Sequence, residues 1–206
     1  LGQEIFALIQ NDFKRDGYFI EFGATNGQEL SNTHLLEKEF GWTGILAEPA
    51  KTWHEDLYKN RSCNIETQCV WSKSGETLSF HESDEAVLST VNSLRTMADG
   101  NKDYRLAGKQ YDVQTISLED LLKKYSAPKK IDYLSIDTEG SEYEILSNFN
   151  GVIDEINFQD LVFEFSEWFS ADNPRFNEDK FYTACTVTQE DVYAHMQQST
   201  RYNPNL

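Results

Sequence analysis

The stretch YFIEFGATNG, residues 18–27, places an apolar run directly before a loop that contains two glycines. Residues 18–22 have the length and the β-forming composition of a buried strand. Gly23 and Gly27 allow the backbone to turn tightly, so that main-chain N–H groups approach a ligand closely. An ordinary glycine turn has the same G-x-x-x-G pattern, and the loop alone is therefore weak evidence. We predict a strand followed by a candidate ligand-binding loop.

Outward from this stretch, segments typical of strands and of helices alternate along the chain. Predicted helices span residues 3–15, 29–40 and 51–59, and two more begin at Ser117, as N-cap, and near Gly140. Predicted strands span residues 18–22, 43–47, 65–71, 76–80, 111–116, 131–136 and 158–165. The alternation predicts one α/β domain over residues 1–206, with a mostly parallel, twisted sheet and helices on both faces.

Two parts of the chain depart from this alternation. Residues 82–110 are polar and irregular, which predicts a long loop, and the segment 81–110 is a candidate lid over the site. Residues 166–206 form an atypical tail, in which we predict helices over 177–185 and 189–198 and find no closing pair of strands. A sheet that is incomplete there has an exposed edge, which the partner in a homodimer is one way to cover.

Composition and charge exclude several classes of partner. The formal charge is −17 and the pI is near 4.5, so the chain repels nucleic acid. The three cysteines form neither a Cys-x-x-Cys pair nor a zinc-type cluster with histidine, which predicts no metal site and a reducing, cytoplasmic setting. No apolar run approaches the roughly 18 residues that span a bilayer, and we expect no membrane partner.

Carboxylates follow three of the predicted strands. Glu21 lies at the end of the first, Glu48 follows the second, and Asp137 and Glu139 follow the strand at 131–136. In an open parallel sheet, ligands bind beyond the carboxyl ends of the strands. Glu48 comes 21 positions after Gly27 (48 − 27), close to the spacing at which an acidic residue binds ribose hydroxyls in dinucleotide folds.

The glycine loop does not match the common phosphate-binding motifs. GATNG lacks the G-x-G-x-x-G spacing of dinucleotide sites, and no G-K-[ST] follows it as in a P-loop. A carboxylate-lined crevice favours a cationic or hydroxyl-rich ligand over a diphosphate. An NAD-dependent oxidoreductase on a similar sheet remains an alternative.

Two blocks of sequence resemble a known family. YFIEFGATNGQELSNTHLLEKEFGWTGILAEP is similar to the opening of FkbM-type S-adenosylmethionine-dependent methyltransferases, and TISLEDLL followed by IDYLSIDTEGSEYEIL is similar to their second signature. The resemblance covers about residues 1–165. It implies a Rossmann-like methyltransferase fold, S-adenosylmethionine as cofactor, and a hydroxyl of a sugar, glycan or other small molecule as methyl acceptor.

The resemblance also implies a role for each matching position. Glu48 would bind the ribose hydroxyls, with Pro49 beside the adenine, and Asp137 would lie near the amino group and sulfonium of the cofactor. The loop around the methionine portion would comprise Glu21, Gly23, Ala24, Thr25, Asn26 and Gly27. Val70, Trp71 and Ser72 would lie near the adenine ring.

Transfer to a hydroxyl also requires a base that removes its proton. Glu139 is the first candidate and Asp137 the second, although a carboxylate at position 139 would also suit the first turn of a helix. We expect Glu142 and Glu144, further along that helix, to be surface charges. The family tends to have Glu-His-Asn after its fifth strand, where this chain has Glu-Phe-Ser at 164–166. A cofactor-binding domain without turnover is therefore a second alternative.

Overall fold

The computed structural model describes residues 3–93, 107–138, 140–147, 157–158 and 161–163, all within a compact unit that spans residues 1–168. Its helices are α1 (Gln3–Gln10), α2 (His34–Phe40), α3 (His54–Asn60), α4 (Leu118–Lys124) and α5 (Glu142–Ser147). Short 3₁₀ helices span Lys51–Trp53 and Ala86–Leu88. The strands are β1 (Tyr18–Phe22), β2 (Thr43–Ala47), β3 (Asn64–Glu66), β4 (Cys69–Trp71), β5 (Thr77–Ser83), β6 (Thr90–Val91), β7 (Gly108–Ser117), β8 (Lys130–Ile131), β9 (Tyr133–Ile136), β10 (Asn157–Phe158) and β11 (Leu161–Phe163).

The main sheet has five strands in the order β11-β9-β1-β2-β3, and all of its pairings are parallel. The chain moves outward from β1 to β3 and then returns to the other side of β1 with β9. The strand order therefore reverses between β1 and β9, which is where open α/β sheets bind ligands. The predicted α/β class is confirmed.

Both faces of this sheet are covered by helices. Ile20 and Phe22 of β1 pack in a cluster with Leu121 of α4 and Ile145 of α5. Side chains alternate along a strand, so Phe19 faces the other way, into a second cluster. That second cluster contains Ala7 and Leu8 of α1, Leu36 of α2 and Leu57 of α3.

A smaller mixed sheet stands beside the main one, in the order β4-β7-β5-β6. β4 runs parallel to β7, whereas β5 is antiparallel to both β7 and β6. Strands β8 and β10 form a separate parallel pair. The smaller sheet brings Phe80 of β5 and Val91 of β6 into a third apolar cluster.

Several predicted bounds are correct. β1 and β2 span the predicted residues, and Gly41 ends α2 in a left-handed conformation with φ of 72°. Ser117 is the N-cap of α4, since its side chain accepts a hydrogen bond from the N–H of Asp120.

The strand predicted over 65–71 is wrong, because it is divided into β3 and β4, which belong to different sheets. Between them, Glu66 Oε1 accepts a bond from the N–H of Gln68, and Oε2 is 2.6 Å from Lys124 Nζ. The strand predicted over 131–136 is likewise divided at Asp132, whose carboxylate binds Lys14 Nζ and the N–H of Tyr18. In both places a buried carboxylate lies at the division of the predicted strand.

The prediction of an irregular loop over 82–110 is also wrong for the residues that the structure describes, 82–93 and 107–110. β5 continues to Ser83, the 3₁₀ helix Ala86–Leu88 and β6 follow, and β7 begins at Gly108. These residues form an antiparallel sheet, and polar composition hid it because half of each strand faces outward. The helix predicted over 3–15 ends at Gln10, and the one predicted over 29–40 begins at His34.

Other predictions concern residues outside those that the structure describes. They include the helices at 177–185 and 189–198, the Glu-Phe-Ser triplet at 164–166 and part of the strand at 158–165. The single domain over 1–206, the incomplete sheet and the homodimer remain predictions. None of the described helices is long and apolar enough to cross a bilayer.

A buried arginine joins the elements around β1. Arg61 follows α3, and its side chain is completely shielded from solvent. Its guanidinium donates to Glu37 Oε2, Gly27 O, Ser31 Oγ, Thr33 O and Thr33 Oγ1, at 2.7 to 3.3 Å. A guanidinium has five N–H groups, so these bonds satisfy every one.

Glu21 of β1 completes this network. Its carboxylate accepts bonds from Ser31 Oγ, the N–H of Asn32 and Thr33 Oγ1, and lies 4.0 Å from the guanidinium of Arg61. Burial raises the pKa of Glu21, and Arg61 opposes that shift. Residues 31–33 thus bond to the carboxylate of Glu21 in β1 and do not form the first turn of a helix. This explains why α2 begins at His34 and not at residue 29.

We expect Arg61→Met to lower the free energy of unfolding by about 3 to 5 kcal/mol, because it leaves buried carboxylates without their partner. Urea denaturation measures the loss. Lys123→Met is the matched control, since Lys123 forms an exposed i,i+4 pair with Glu119, and it should cost almost nothing. Similar losses in both variants would contradict the structural role of Arg61.

Candidate functional site

A cavity of about 220 Å³ opens at the carboxyl ends of the central strands. Phe22 and Gly23 at the end of β1, Glu48 after β2 and Asp137 after β9 line it. Because the strands are parallel, residues far apart in sequence meet at one edge of the sheet.

Hydrogen bonds between the strand ends set the spacing of these residues. The N–H of Gly23 donates to Ala47 O at 3.0 Å, and the N–H of Asp137 donates to Phe22 O at 3.1 Å. The N–H of Glu48 donates to Glu66 O at 2.9 Å. The sheet ladder therefore continues for one residue beyond each strand, which holds the floor of the cavity rigid.

Gly23 is required by close packing as well as by conformation. Its φ is +80°, and a Cβ atom at this position would lie 1.8 Å from the carbonyl oxygen of Asp137. No side chain fits in that space, so a glycine is needed to bring the ends of β1 and β9 together.

The loop after Gly23 contains further residues with positive φ. Thr25 has φ of 48°, Gly27 of 75° and Leu30 of 62°. A left-handed conformation is unusual for a β-branched threonine and for a leucine. Strained backbone of this kind clusters at ligand sites, where the surrounding structure enforces it. Here Thr25 and Leu30 both line the cavity.

Glu48 is one of the groups that enforce this loop. Its carboxylate accepts bonds from the N–H of Thr25 at 2.9 Å and from the N–H of Ala50 at 2.8 Å. The residue is 5% exposed. Burial raises the pKa of Glu48 to about 7. The carboxyl group that follows β2 is therefore held in place before any ligand binds, and its charge changes near neutral pH.

The smaller sheet supplies the apolar wall of the cavity. Val70 of β4, Phe80 of β5 and Val91 of β6 line it, together with Trp53. An apolar wall with a few fixed polar groups is typical of small-molecule sites.

Tyr111 of β7 ties the loop after β2 to this smaller sheet. Its hydroxyl accepts a bond from the N–H of Lys51 at 3.0 Å and donates to Glu82 Oε2 at 2.6 Å. The ammonium of Lys51 lies 4.1 Å from the centre of the Tyr111 ring. The loop that carries Glu48 and Pro49 is thereby held against the apolar wall.

The prediction that Glu142 is a surface charge is wrong. Glu142 is 4% exposed. Its Oε1 accepts bonds from the N–H of Thr138 at 3.0 Å, the hydroxyl of Thr138 at 3.1 Å and the N–H of Gly140 at 3.2 Å. Glu142 therefore fixes the turn between β9 and α5, which borders the cavity. Glu139 lies outside the described residues.

The structure brings six of the predicted cofactor residues together around the cavity. They are Gly23, Thr25, Glu48, Pro49, Val70 and Asp137. The other six have different surroundings. Glu21 faces the opposite side of the sheet, where Arg61 lies, and Ala24 is buried in the cluster with Leu36.

Asn26 and Gly27 do not line the cavity either. Asn26 Oδ1 accepts bonds from the N–H groups of Gln28 and Glu29, and Gly27 packs against Leu57 and Arg61. Trp71 and Ser72 line a second cavity, of about 260 Å³, with Ser117 and Asp120. Their roles in cofactor binding remain predictions from the resemblance.

Sequence reasoning did not identify several residues of the wall. Phe80 and Val91 reach the cavity through an antiparallel pairing, and no local signal marks that pairing in a polar segment. Thr138 and Ser141 also line the cavity. Their positions one and four residues after the strand-end Asp137 were a usable signal. The described residues contain no cluster of histidine, cysteine or acidic groups suited to a metal ion.

Together, the switch point, the glycine turn and the carboxylate after β2 define an α/β protein with a cavity at the carboxyl edge of its sheet, where open α/β sheets bind ligands. The chain belongs to the methyltransferase FkbM domain family, whose model matches residues 21–190. This match continues past residue 165, where the predicted resemblance ends. Neither the curated proteins nor the solved structures gave a significant match.

Replacement of Gly23 tests the close approach of β1 and β9. Gly75 has nearly the same φ, +79°, but a Cβ atom there would meet nothing within 4 Å. Gly75→Ala should therefore cost about 1 kcal/mol of backbone strain, while Gly23→Ala adds the clash with Asp137 and should cost several times more. Thermal denaturation of the two variants makes the comparison. Equal losses would show that the strand ends separate readily.

Proposed function

We propose that the protein is a Rossmann-like, S-adenosylmethionine-dependent methyltransferase that transfers a methyl group to a hydroxyl oxygen of a small molecule or glycan. The observation that carries this proposal is the cavity bordered by Gly23, Glu48 and Asp137 in a chain of the FkbM family. S-adenosylmethionine supplies an electrophilic methyl group on a permanently cationic sulfur.

Glu48 is suited to hold the ribose of this cofactor. Each of its oxygens accepts one backbone N–H bond, and a carboxylate oxygen has a second acceptor site. Two acceptor sites therefore remain for a pair of neighbouring hydroxyl groups. The apolar wall formed by Trp53, Val70 and Phe80 offers a flat base such as adenine a surface to pack on.

Asp137 is suited to the cationic end of the cofactor. It lines the cavity at the end of β9, next to the glycine loop, and a carboxylate there attracts a sulfonium or an ammonium group. The same charge disfavours the diphosphate of NAD. Methyl transfer then depends mainly on aligning the acceptor oxygen with the bond that breaks.

Calorimetry with S-adenosylhomocysteine and with NAD separates the proposal from its first rival. Binding of S-adenosylhomocysteine alone supports a methyltransferase, whereas binding of NAD alone would contradict it. Transfer of a labelled methyl group to a panel of methyl glycosides then separates an enzyme from a cofactor-binding domain without turnover.

Binding should also depend on pH through Glu48. Only the ionised carboxylate accepts hydrogen bonds at both oxygens, and with a pKa of about 7 its ionised fraction rises about tenfold between pH 6 and pH 8. We therefore expect the affinity for S-adenosylhomocysteine to rise by about the same factor, and Glu48→Gln to weaken binding and abolish the rise.

The control for this prediction is His54→Gln. The ring Nε2 of His54 lies 2.9 Å from the carbonyl oxygen of Glu48. Calorimetry at both pH values should show the rise retained in this variant. An affinity in the native protein that does not change with pH would contradict the ribose assignment.

A further inference from the structure

We propose that Glu142 is the final acceptor of the proton that the methyl acceptor loses, and that Ser141 and Thr138 carry this proton from the cavity. This inference rests on the proposed methyltransferase function. It assigns the buried Glu142 a chemical task beyond fixing the turn after β9.

A continuous line of oxygen atoms connects the cavity with Glu142. Ser141 and Thr138 both line the cavity. Ser141 Oγ lies 2.8 Å from Thr138 Oγ1, which lies 3.1 Å from Glu142 Oε1. The first distance is typical of a hydrogen bond between two hydroxyl groups, and the second is slightly longer than the usual distance between a hydroxyl and a carboxylate oxygen.

The chemistry of these groups fixes the direction of the hydrogen bonds. An ionised carboxylate only accepts, so Thr138 must donate its hydroxyl proton to Glu142. Thr138 Oγ1 then accepts from Ser141, which leaves the lone pairs of Ser141 Oγ for another donor. The end of the chain that lies at the cavity is therefore a hydrogen-bond acceptor, which suits an incoming hydroxyl group.

The described carboxylates that line the cavity, Glu48 and Asp137, have different tasks in the proposed function. Glu48 binds two backbone N–H groups at the end of β2 and is assigned to the ribose. Asp137 lines the cavity and is assigned to the cationic part of the cofactor, whose ammonium group stays positive after the methyl group has left. Glu142 does not line the cavity but is connected to it by hydrogen bonds through the hydroxyl groups of Thr138 and Ser141.

In the proposed step, bonds form and break at the acceptor oxygen, at the sulfonium and at the three oxygens of the path. The acceptor oxygen forms a bond to the methyl carbon, and the electron pair of the S–CH₃ bond stays on sulfur. The acceptor proton moves to Ser141 Oγ, the Ser141 proton moves to Thr138 Oγ1, and the Thr138 proton moves to Glu142 Oε1. S-adenosylhomocysteine, the methyl ether and a neutral Glu142 result, and Glu142 later returns its proton to solvent.

The variant Glu142→Gln separates the proposed proton acceptor from a purely structural role, because a structural role alone predicts an unchanged kcat. The amide oxygen of glutamine accepts the same three hydrogen bonds but takes up no proton. We expect this variant to keep its thermal stability and to bind S-adenosylhomocysteine within twofold of the native protein. Its kcat for methyl transfer to the methyl glycosides should fall by about 100-fold or more, the usual contribution of a general base.

Variants of Thr138 test the path independently. Thr138→Val keeps the shape of the side chain but removes the hydroxyl, and it should lower kcat as far as Glu142→Gln does. Thr138→Ser restores the hydroxyl and should restore most of the rate. Glu144→Gln, in the same helix, is the control and should leave the rate unchanged.

The outcomes distinguish the two levels of the proposal. Native-like kcat in both Glu142→Gln and Thr138→Val would overturn the proton path but leave the methyltransferase assignment intact. Equal losses of kcat in Thr138→Val and Thr138→Ser would also overturn it. Native protein that binds no S-adenosylhomocysteine, or binds it and methylates none of the glycosides, would contradict the proposed function, and the path would fall with it.

Discussion

The buried guanidinium of Arg61 is the interaction on which the geometry of the site depends. It connects Glu21 on β1, Glu37 on α2 and the carbonyl of Gly27 in the glycine loop. Two carboxylates and one cation are therefore shielded together, and each depends on the others because an unpaired buried charge is costly. The loop that borders the cavity cannot shift without breaking bonds to Arg61.

This constraint allows strained backbone to persist where a ligand would bind. Thr25 and Leu30 keep positive φ angles because the loop is bonded at two points. Arg61 donates to the carbonyl oxygen of Gly27, and Glu48 accepts a bond from the N–H of Thr25. Tyr111 fixes the loop that carries Glu48, and Glu142 fixes the turn after Asp137. Each strand end at the cavity thus has a support of its own, which is the preorganisation that the proposed cofactor binding and methyl transfer would both require.

The sequence predicted the parts of the fold that depend on local pattern. β1 and β2 are short apolar runs bounded by turn residues, and their ends matched. The predictions over 65–71 and 131–136 failed because the carboxylates of Glu66 and Asp132 form bonds at the points where each predicted strand divides. Alternation puts Glu21 on the face of β1 opposite to Ile20 and Phe22, but the pattern does not say which face borders the cavity, and the structure places Glu21 beside Arg61. The burial of Glu142 was not predictable, because it depends on the conformation of a turn that periodicity does not describe.

The most direct test of the central claim is a crystal structure of the protein with S-adenosylhomocysteine. We expect the ligand in the cavity at the ends of β1, β2 and β9, with its ribose hydroxyls bonded to Glu48 and its sulfur between Gly23 and Asp137. The adenine should contact the wall formed by Val70 and Phe80. Ligand bound in the second cavity beside Trp71, or bound without contact to Glu48, would contradict the account.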